Sequence, residues 1–411
     1  MGRMISSIAK HKQAEKVLAT RRRRTLGASG TRLSYPTLKG MGDLARLLKE
    51  SWSLVEENRD KVAGYFYARI FLAHPNVRDL FPVHMDVQRA RLLGAIVTAV
   101  QTLEDPERFD QYLRGLGRDH RKFHVEPGHY EVVGGALIEA LRHFAGDQWA
   151  IEYEQAWADA YAVIAAKMLA GAEADTNPPY WHAEVVAHER RSSDIAVFTV
   201  LPLQPLEFRA GQYLSMECPR YQPRLWRTYS PANAPRRDNT LEFHARAVGA
   251  GWVSSALVRR LKVGDMVRLA APMGTMTLDR RSTRDTVFVA GGTGLAPIKS
   301  LLEELTRYNR TRWVHVFFGA RNRDDLYDLA ELNRLAARYP WLSVVTACSD
   351  DPTFGGEQGN ICDVVARFGP WNEHDFFVSG SGPMVKATLK TLAELQVPPI
   401  RIKYDSFSEM S

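Results

Sequence analysis

"VFVAGGTGLAPIKSLLEEL", residues 287–305, reads as a buried strand, a glycine turn and an amphipathic helix. Gly291, Gly292 and Gly294 free the backbone to approach a phosphate, and Pro297 suits a first helical turn. The spacing is not GxGxxG, and a single glycine turn can do no more than join strand to helix, so the flanking sequence has to decide. Downstream of Asp285, "WVHVFFGAR", "LSVVTACS", "DFFVSGSG" and "IRIKYDSF" alternate with helical stretches, which predicts an α/β domain with a parallel sheet over 285–411. Upstream, "AEVVAHE", "IAVFTVLP", "QYLSMEC" and "LEFHARAV" are short β-rich runs, which predicts a small antiparallel barrel over 181–280. Further back, "GAEADTNPPYWH" (171–182) breaks the pattern as a linker. From Asp43 to about Leu169, apolar residues recur at three- and four-residue steps in successive segments, giving an all-helical domain over 43–172. The fold class expected is therefore multidomain: all-α, then antiparallel β-barrel, then α/β.

Composition agrees with several soluble domains. The chain has 411 residues, 45% hydrophobic and 25% charged. No apolar run is long enough to span a bilayer. Cys218, Cys348 and Cys362 lack the spacing of a disulfide framework, structural zinc or a cysteine-held iron-sulfur cluster, which points to a reduced, cytoplasmic setting. The net charge of +7 is concentrated at one end: residues 1–40 hold ten Lys/Arg against Glu15, leaving 44 basic and 46 acidic residues elsewhere. Specific nucleic-acid binding is not expected of such a body. Residues 1–42 read as a disordered basic tail, either simply solvated or in weak contact with a membrane surface.

Two more motifs lie in the barrel. In "RLWRTYSPAN" (224–233), Arg227 and Tyr229 fall on one strand face and Ser230 on the other. A guanidinium clamps a pyrophosphate, an aromatic ring packs on a flavin, and a hydroxyl reaches the edge where hydride arrives. In "GAGWVSSALVRRL" (249–261) a turn at Gly251 opens a helix, with Val253 in its first turn and the Ser254 hydroxyl as an added donor to an anion; plain N-capping is the other reading. RxYS, GxVS and GGTGxAP occurring in this order at domain-like intervals are specific where each alone is weak.

Residues 181–411 resemble the ferredoxin-reductase family of flavoproteins, and these motifs carry the resemblance. It implies that Arg227, Tyr229, Ser230, Gly251, Val253 and Ser254 contact FAD, and that Gly292, Thr293 and Gly294 meet a nicotinamide nucleotide. "FVSGSGPMV" (377–385) resembles the family's CGPxxM stretch, with Ser379 where cysteine is usual. Phe407 in "YDSFSEM" takes the place of an aromatic at the flavin face. Arg321 and Arg323 in "GARNRDD" either hold a 2′-phosphate, favouring NADPH, or are solvated beside two aspartates; NADH and NADPH both stay open.

In the helical half, "DHRKFHVEPGHY" (119–130) contains three histidines. His120 and His124 share helical spacing, but no general-base glutamate or third ligand accompanies them, so a zinc hydrolase is not expected. One imidazole on a helix of such a domain suits the proximal ligand of haem. This half resembles the globin domain of flavohaemoglobins. The resemblance implies haem b held by His120, with Tyr130 beside it, and Tyr67 from "YFYARIFLAHPNVRDLF" (65–81) and Gln88 from "VQRARLLGAI" (87–96) on the distal side. Phe81 and Leu92 line the haem pocket. A phenol and an amide there stabilise a negatively charged oxygen ligand, although Tyr67 alone reads as core and Gln88 alone as surface. His124 and His129 are expected at the surface.

The sequence departs from that family at three places. Asp119 stands where a lysine reaching a haem propionate is common, Ala172 where an acidic partner of the proximal tyrosine is expected with Glu173 one position off, and Ser379 where cysteine is usual. A divergent flavohaemoglobin is therefore expected: a monomer passing electrons from NAD(P)H through FAD to haem, and oxidising nitric oxide with O₂ to nitrate. The alternatives are a flavin-dependent reductase with little such activity, and a haem-based gas sensor or lipid-binding globin.

Overall fold

The computed structural model describes residues 38–81, 85–102, 105–249 and 251–407. Most of the basic leader, 1–37, lies outside the described residues. Its last five positions, 38–42, open helix α1 (Leu38–Ser53), so regular structure begins ahead of Asp43.

Five further helices complete the α half: α2 (Arg59–Ala73), α3 (Asp86–Thr102), α4 (Pro106–His120), α5 (Pro127–Ala145) and α6 (Ile151–Ala174). Local chemistry sets their starts. Asp105 accepts the Arg108 amide at 3.1 Å with Pro106 in the first turn of α4. Glu126 and His129 form a reciprocal cap on α5, in which the Glu126 amide donates to His129 Nδ1 at 3.0 Å. Between these helices the chain turns through Arg121–Phe123 and His124, whose φ of 55° places it in the left-handed region. Helices α4 and α6 cross at contact distance: a Cβ on Gly117 would lie 1.9 Å from the Met168 carbonyl oxygen, and one on Gly171 2.3 Å from that of Arg114. Asp110 on α4 also pairs with Lys167 on α6 at 2.6 Å. Helix α6 runs to Ala174, so the connection to the next domain is shorter than the 171–182 linker read from the sequence; Asp175 within it pairs with Arg121 at 3.0 Å.

The next sheet is antiparallel, in the order β4-β3-β6-β1-β2-β5, from β1 (Trp181–Arg190), β2 (Ile195–Pro202), β3 (Leu214–Cys218), β4 (Gln222–Tyr229), β5 (Leu241–Arg246) and β6 (Met266–Leu269). A bridge between Pro231 and Phe243 brings the chain leaving β4 onto β5, curling the sheet towards closure. Helix α7 (Trp252–Arg259) plugs the interior with Val253 and Leu257 against Phe198, Phe243 and Leu214.

The last sheet is parallel, in the order β10-β9-β8-β7-β11-β12: β7 (Thr286–Gly291), β8 (Val314–Ala320), β9 (Leu342–Cys348), β10 (Glu357–Gln358), β11 (Asp375–Ser381) and β12 (Ile402–Phe407). Helices α8 (Leu295–Tyr308), α9 (Leu329–Arg338), α10 (Ile361–Phe368) and α11 (Gly382–Glu394) supply the crossovers. Strand β7 is apolar from Val287 to Ala290 because both its faces are covered. Phe288 and Ala290 enter one core with Leu301 and Phe318, while Val287 and Val289 enter the other with Phe317. The three cysteines are buried and unpaired. Among the described residues, no helix is long and apolar enough to cross a membrane.

Candidate active site: one cavity through three domains

A cavity of about 1640 Å³ runs from the helical half along the barrel to the mouth of the parallel sheet. His120, the last residue of α4, lines its helical end. The Nδ1–H of this ring donates to the Leu116 carbonyl one turn back at 2.8 Å, which leaves Nε2 with its lone pair free to bind a metal. Burial lowers the imidazole's pKa and keeps the ring neutral; the Leu116 bond and Asp119 act weakly the other way. Among the described residues, no three His, Cys, Asp or Glu side chains converge as a metal site. The donor set is thus a single imidazole over a large, mostly apolar chamber, which fits haem.

Tyr67, Gln88, Phe81 and Leu92 line the same chamber. Burial pushes the Tyr67 phenol up to about 12, against the opposing pull of the Gln88 side chain and Arg89, so it is a neutral O–H donor. In this state it donates to the Gln88 main-chain carbonyl at 3.4 Å, a long bond that a better acceptor would replace. Phe81 sits edge-on to the Tyr67 ring at 5.4 Å and restricts its motion.

Tyr130 is buried and lines the same cavity as His120. Its hydroxyl makes no hydrogen bond to a carboxylate among the described residues, and Glu173 is exposed on α6, so neither Ala172 nor Glu173 completes a relay. A second phenol, Tyr161 of α6, lines the cavity instead. It packs flat against Gly134, where a Cβ would lie 2.6 Å from its ring. His124 is exposed as expected, but His129 is half-buried and reaches the cavity wall, a correction that follows from its capping role.

Arg227, Tyr229, Ser230, Gly251, Val253, Ser254 and Phe407 line the middle of the cavity. Strand β4 ends at Tyr229, and this is why Ser230 reaches the same wall as Arg227 and Tyr229 instead of the opposite face. The Ser230 Oγ donates to Asp405 Oδ2 on β12 at 3.1 Å. Burial raises the Asp405 carboxyl's pKa, opposed by that hydroxyl. The Ser254 hydroxyl is turned onto its own loop: it donates to the Gly251 carbonyl at 3.2 Å and accepts the Val248 amide at 3.3 Å. Gly251 is glycine because a Cβ there would lie 2.5 Å from the Ser254 oxygen.

At the far end Gly292, Thr293 and Arg321 line the cavity, and Gly292 has a φ of 54° that an L side chain would strain. Gly294 does not line it. A Cβ there would lie 2.3 Å from the Ser379 carbonyl oxygen, so this glycine lets the turn sit on β11. Ser379 is likewise fully buried beneath the turn, and its hydroxyl has no partner among the described residues. Ser381, Pro383 and Met384 are the residues of that segment that line the cavity. Arg323 is held by Asp351 at 2.9 Å and by Thr353 at 3.0 Å, leaving Arg321 as the arginine of the pair on the wall.

The barrel and the parallel sheet are joined by a buried polar cluster. His244, neutral because burial lowers its pKa, donates through Nε2 to Glu242 Oε1 at 3.2 Å and accepts the Tyr327 hydroxyl at Nδ1, 2.6 Å away. Lys299 bridges Glu242 and Asp328.

Comparison with known proteins follows these three regions. Residues 64–168 match the globin family, 182–278 the oxidoreductase FAD-binding domain and 288–390 the oxidoreductase NAD-binding domain. The chain is 27% identical over 395 residues to a flavohaemoprotein of Bacillus subtilis, covering 88% of this chain and 96% of that one. Over 228 residues it is 34% identical to the ferredoxin–NAD(P)(+) reductase component of the naphthalene 1,2-dioxygenase/salicylate 5-hydroxylase systems of a Ralstonia species, covering 54% of this chain and 67% of that one. Its fold matches a crystal structure of the flavohaemoglobin of Malassezia yamatoensis with FAD and haem bound, with a TM-score of 0.74 and 18% identity over 89% of this chain and 98% of that one.

A globin continuous with FAD- and NAD-binding oxidoreductase domains defines a haem–flavin oxidoreductase. Over nearly its whole length the chain is similar to flavohaemoproteins, and electron transfer from NAD(P)H through FAD to haem is the activity that this architecture serves.

Proposed function

We propose that this chain uses NAD(P)H and O₂ to oxidise nitric oxide to nitrate. When bound, haem supplies the iron that activates O₂, and FAD divides a two-electron donor into single electrons. His120, oriented by its bond to Leu116, would hold the haem iron through Nε2. Tyr67 would turn its O–H from the Gln88 carbonyl to hydrogen-bond the oxygen substrate, Gln88 would add its amide, and Phe81 and Leu92 would exclude water. Arg227, Tyr229, Ser230 and the loop of Gly251, Val253 and Ser254 seat the flavin, with Phe407 on its other face. Gly292, Thr293 and Arg321 receive the dinucleotide, while Gly294 and Ser379 support their turn from beneath.

The observation that carries this reading is a lone, correctly tautomerised imidazole in the same cavity as the RxYS strand. Purified protein is expected to show a Soret band and flavin absorption, and to consume nitric oxide only with both O₂ and NAD(P)H. Normal turnover by His120→Ala would exclude it.

The missing carboxylate on Tyr130 favours a second reading, in which the flavin serves other acceptors and nitric oxide removal is slow. Mixing the NADH-reduced protein anaerobically and finding its haem still ferric would select that one.

A further inference from the structure

On α3, around the end of α4 and on strand β4 the cavity wall carries four cations, Arg91, Lys122, Arg224 and Arg227, against two carboxylates, Asp86 and Asp119. Lys122 is only 5% exposed at its side chain. Two of its three ammonium N–H donors are used, one on Asp119 Oδ1 at 2.6 Å and one on Ser215 Oγ of β3 at 3.0 Å. The nitrogen also lies 5.1 Å from the Phe123 ring centre and 5.4 Å from that of Trp226. Its third N–H has no acceptor among the described residues. Arg91 stands on α3 just past Gln88, on the same cavity wall, and its guanidinium makes no hydrogen bond among the described residues. Asp119 therefore does not present a bare negative charge here, because Lys122 neutralises it and the wall as a whole is positive. The net positive charge of this stretch of wall suits it to receive anionic groups.

We propose that Arg91 and Lys122 bind the two propionates of a porphyrin ligated by His120, and that Lys122, tied to Ser215, anchors that porphyrin edge to the flavin barrel. This rests on the haem reading above. Arg91 offers a planar fork suited to a carboxylate, and Lys122 a single strong donor held rigid by its other two bonds. The geometry also explains how a chain with aspartate at 119 keeps an attractive haem–flavin junction. The charge comes from three residues further along, at the turn that follows α4.

The test is the rate at which the holoprotein surrenders haem to excess apomyoglobin, followed by absorbance. Arg91→Met and Lys122→Met are each expected to speed haem loss roughly tenfold, and Lys122→Arg to stay near the parent rate. Reloading the haem-depleted full chain with the porphyrin's dimethyl ester, which has no carboxylates, is expected to erase the difference between parent and variants; a purely structural role would preserve it. Parent-like loss from both methionine variants, with normal flavin content, overturns the proposal. Arg91 is exposed enough for its variant to fold even if the Lys122 variant does not. A parent protein that binds no haem at all would instead overturn the reading on which this one rests.

Discussion

The Ser230 hydroxyl and the Asp405 carboxylate, 175 positions apart in the chain, meet at 3.1 Å where β4 of the barrel ends and β12 of the parallel sheet passes. This bond fixes the edge on which flavin and nicotinamide are proposed to face each other. Ser230→Ala is expected to slow anaerobic flavin reduction by NADH roughly tenfold or more, because small misplacements of reacting atoms are expensive. Stopped-flow absorbance checks it, and haem reduction by dithionite should be unchanged.

On the distal side, Tyr67→Phe removes a neutral donor whose present acceptor is only the distant Gln88 carbonyl. Loss of a hydrogen bond to a charged ligand costs about 1.5–3 kcal/mol, so O₂ release is expected to accelerate roughly 10- to 100-fold. Ligand-displacement kinetics on the ferrous protein would show it. An unchanged off-rate would mean that Tyr67 serves only as core.

The seating of His120 depends on two glycines. Gly117→Ala would force a methyl group into the Met168 backbone, where no flexible side chain can yield. The variant is expected to lose about 1–3 kcal/mol of stability and part of its haem, measured as Soret absorbance per chain and as thermal midpoint. Gly135→Ala, where the added methyl meets open space, is the control and should have neither effect.

Glu242 gives a pH prediction. Burial alone would raise its carboxyl, but the His244 hydrogen bond and the charges of Lys299 and Arg236 overcome this and hold it at about 2. A depressed carboxyl contributes stability that is present above the ordinary carboxylate value and lost as pH falls towards 2. Replacing it in Glu242→Gln is expected to cost on the order of 3 kcal/mol at pH 7, with the difference from the parent shrinking below about pH 4. Urea unfolding of both proteins across that range decides it.

Much of this site was legible before any coordinates. Periodicity separated the helices from the two kinds of sheet, and the RxYS and glycine-turn motifs lie on one cavity because each is local: a strand end, a loop and a helix start. What escaped was non-local. Lys122 reads as one more charge in "DHRKF" until Ser215, 93 positions away, is seen against it. Asp405 likewise gains meaning only from Ser230. The close packing of Gly294 is non-local too, because it depends on the position of Ser379 on the neighbouring strand. The choice of His120 among the three histidines came from the resemblance of "DHRKFHVEPGHY" to a globin domain, whereas the half-burial of His129 depends on a cap whose geometry no spacing rule predicts.

Since one chamber carries the residues proposed to hold haem, flavin and dinucleotide, each guest would form part of the container for the next. Maturation then becomes sequential: chains starved of riboflavin during expression should shed their porphyrin sooner than replete ones. Equal retention by both would mean that the compartments are loaded independently.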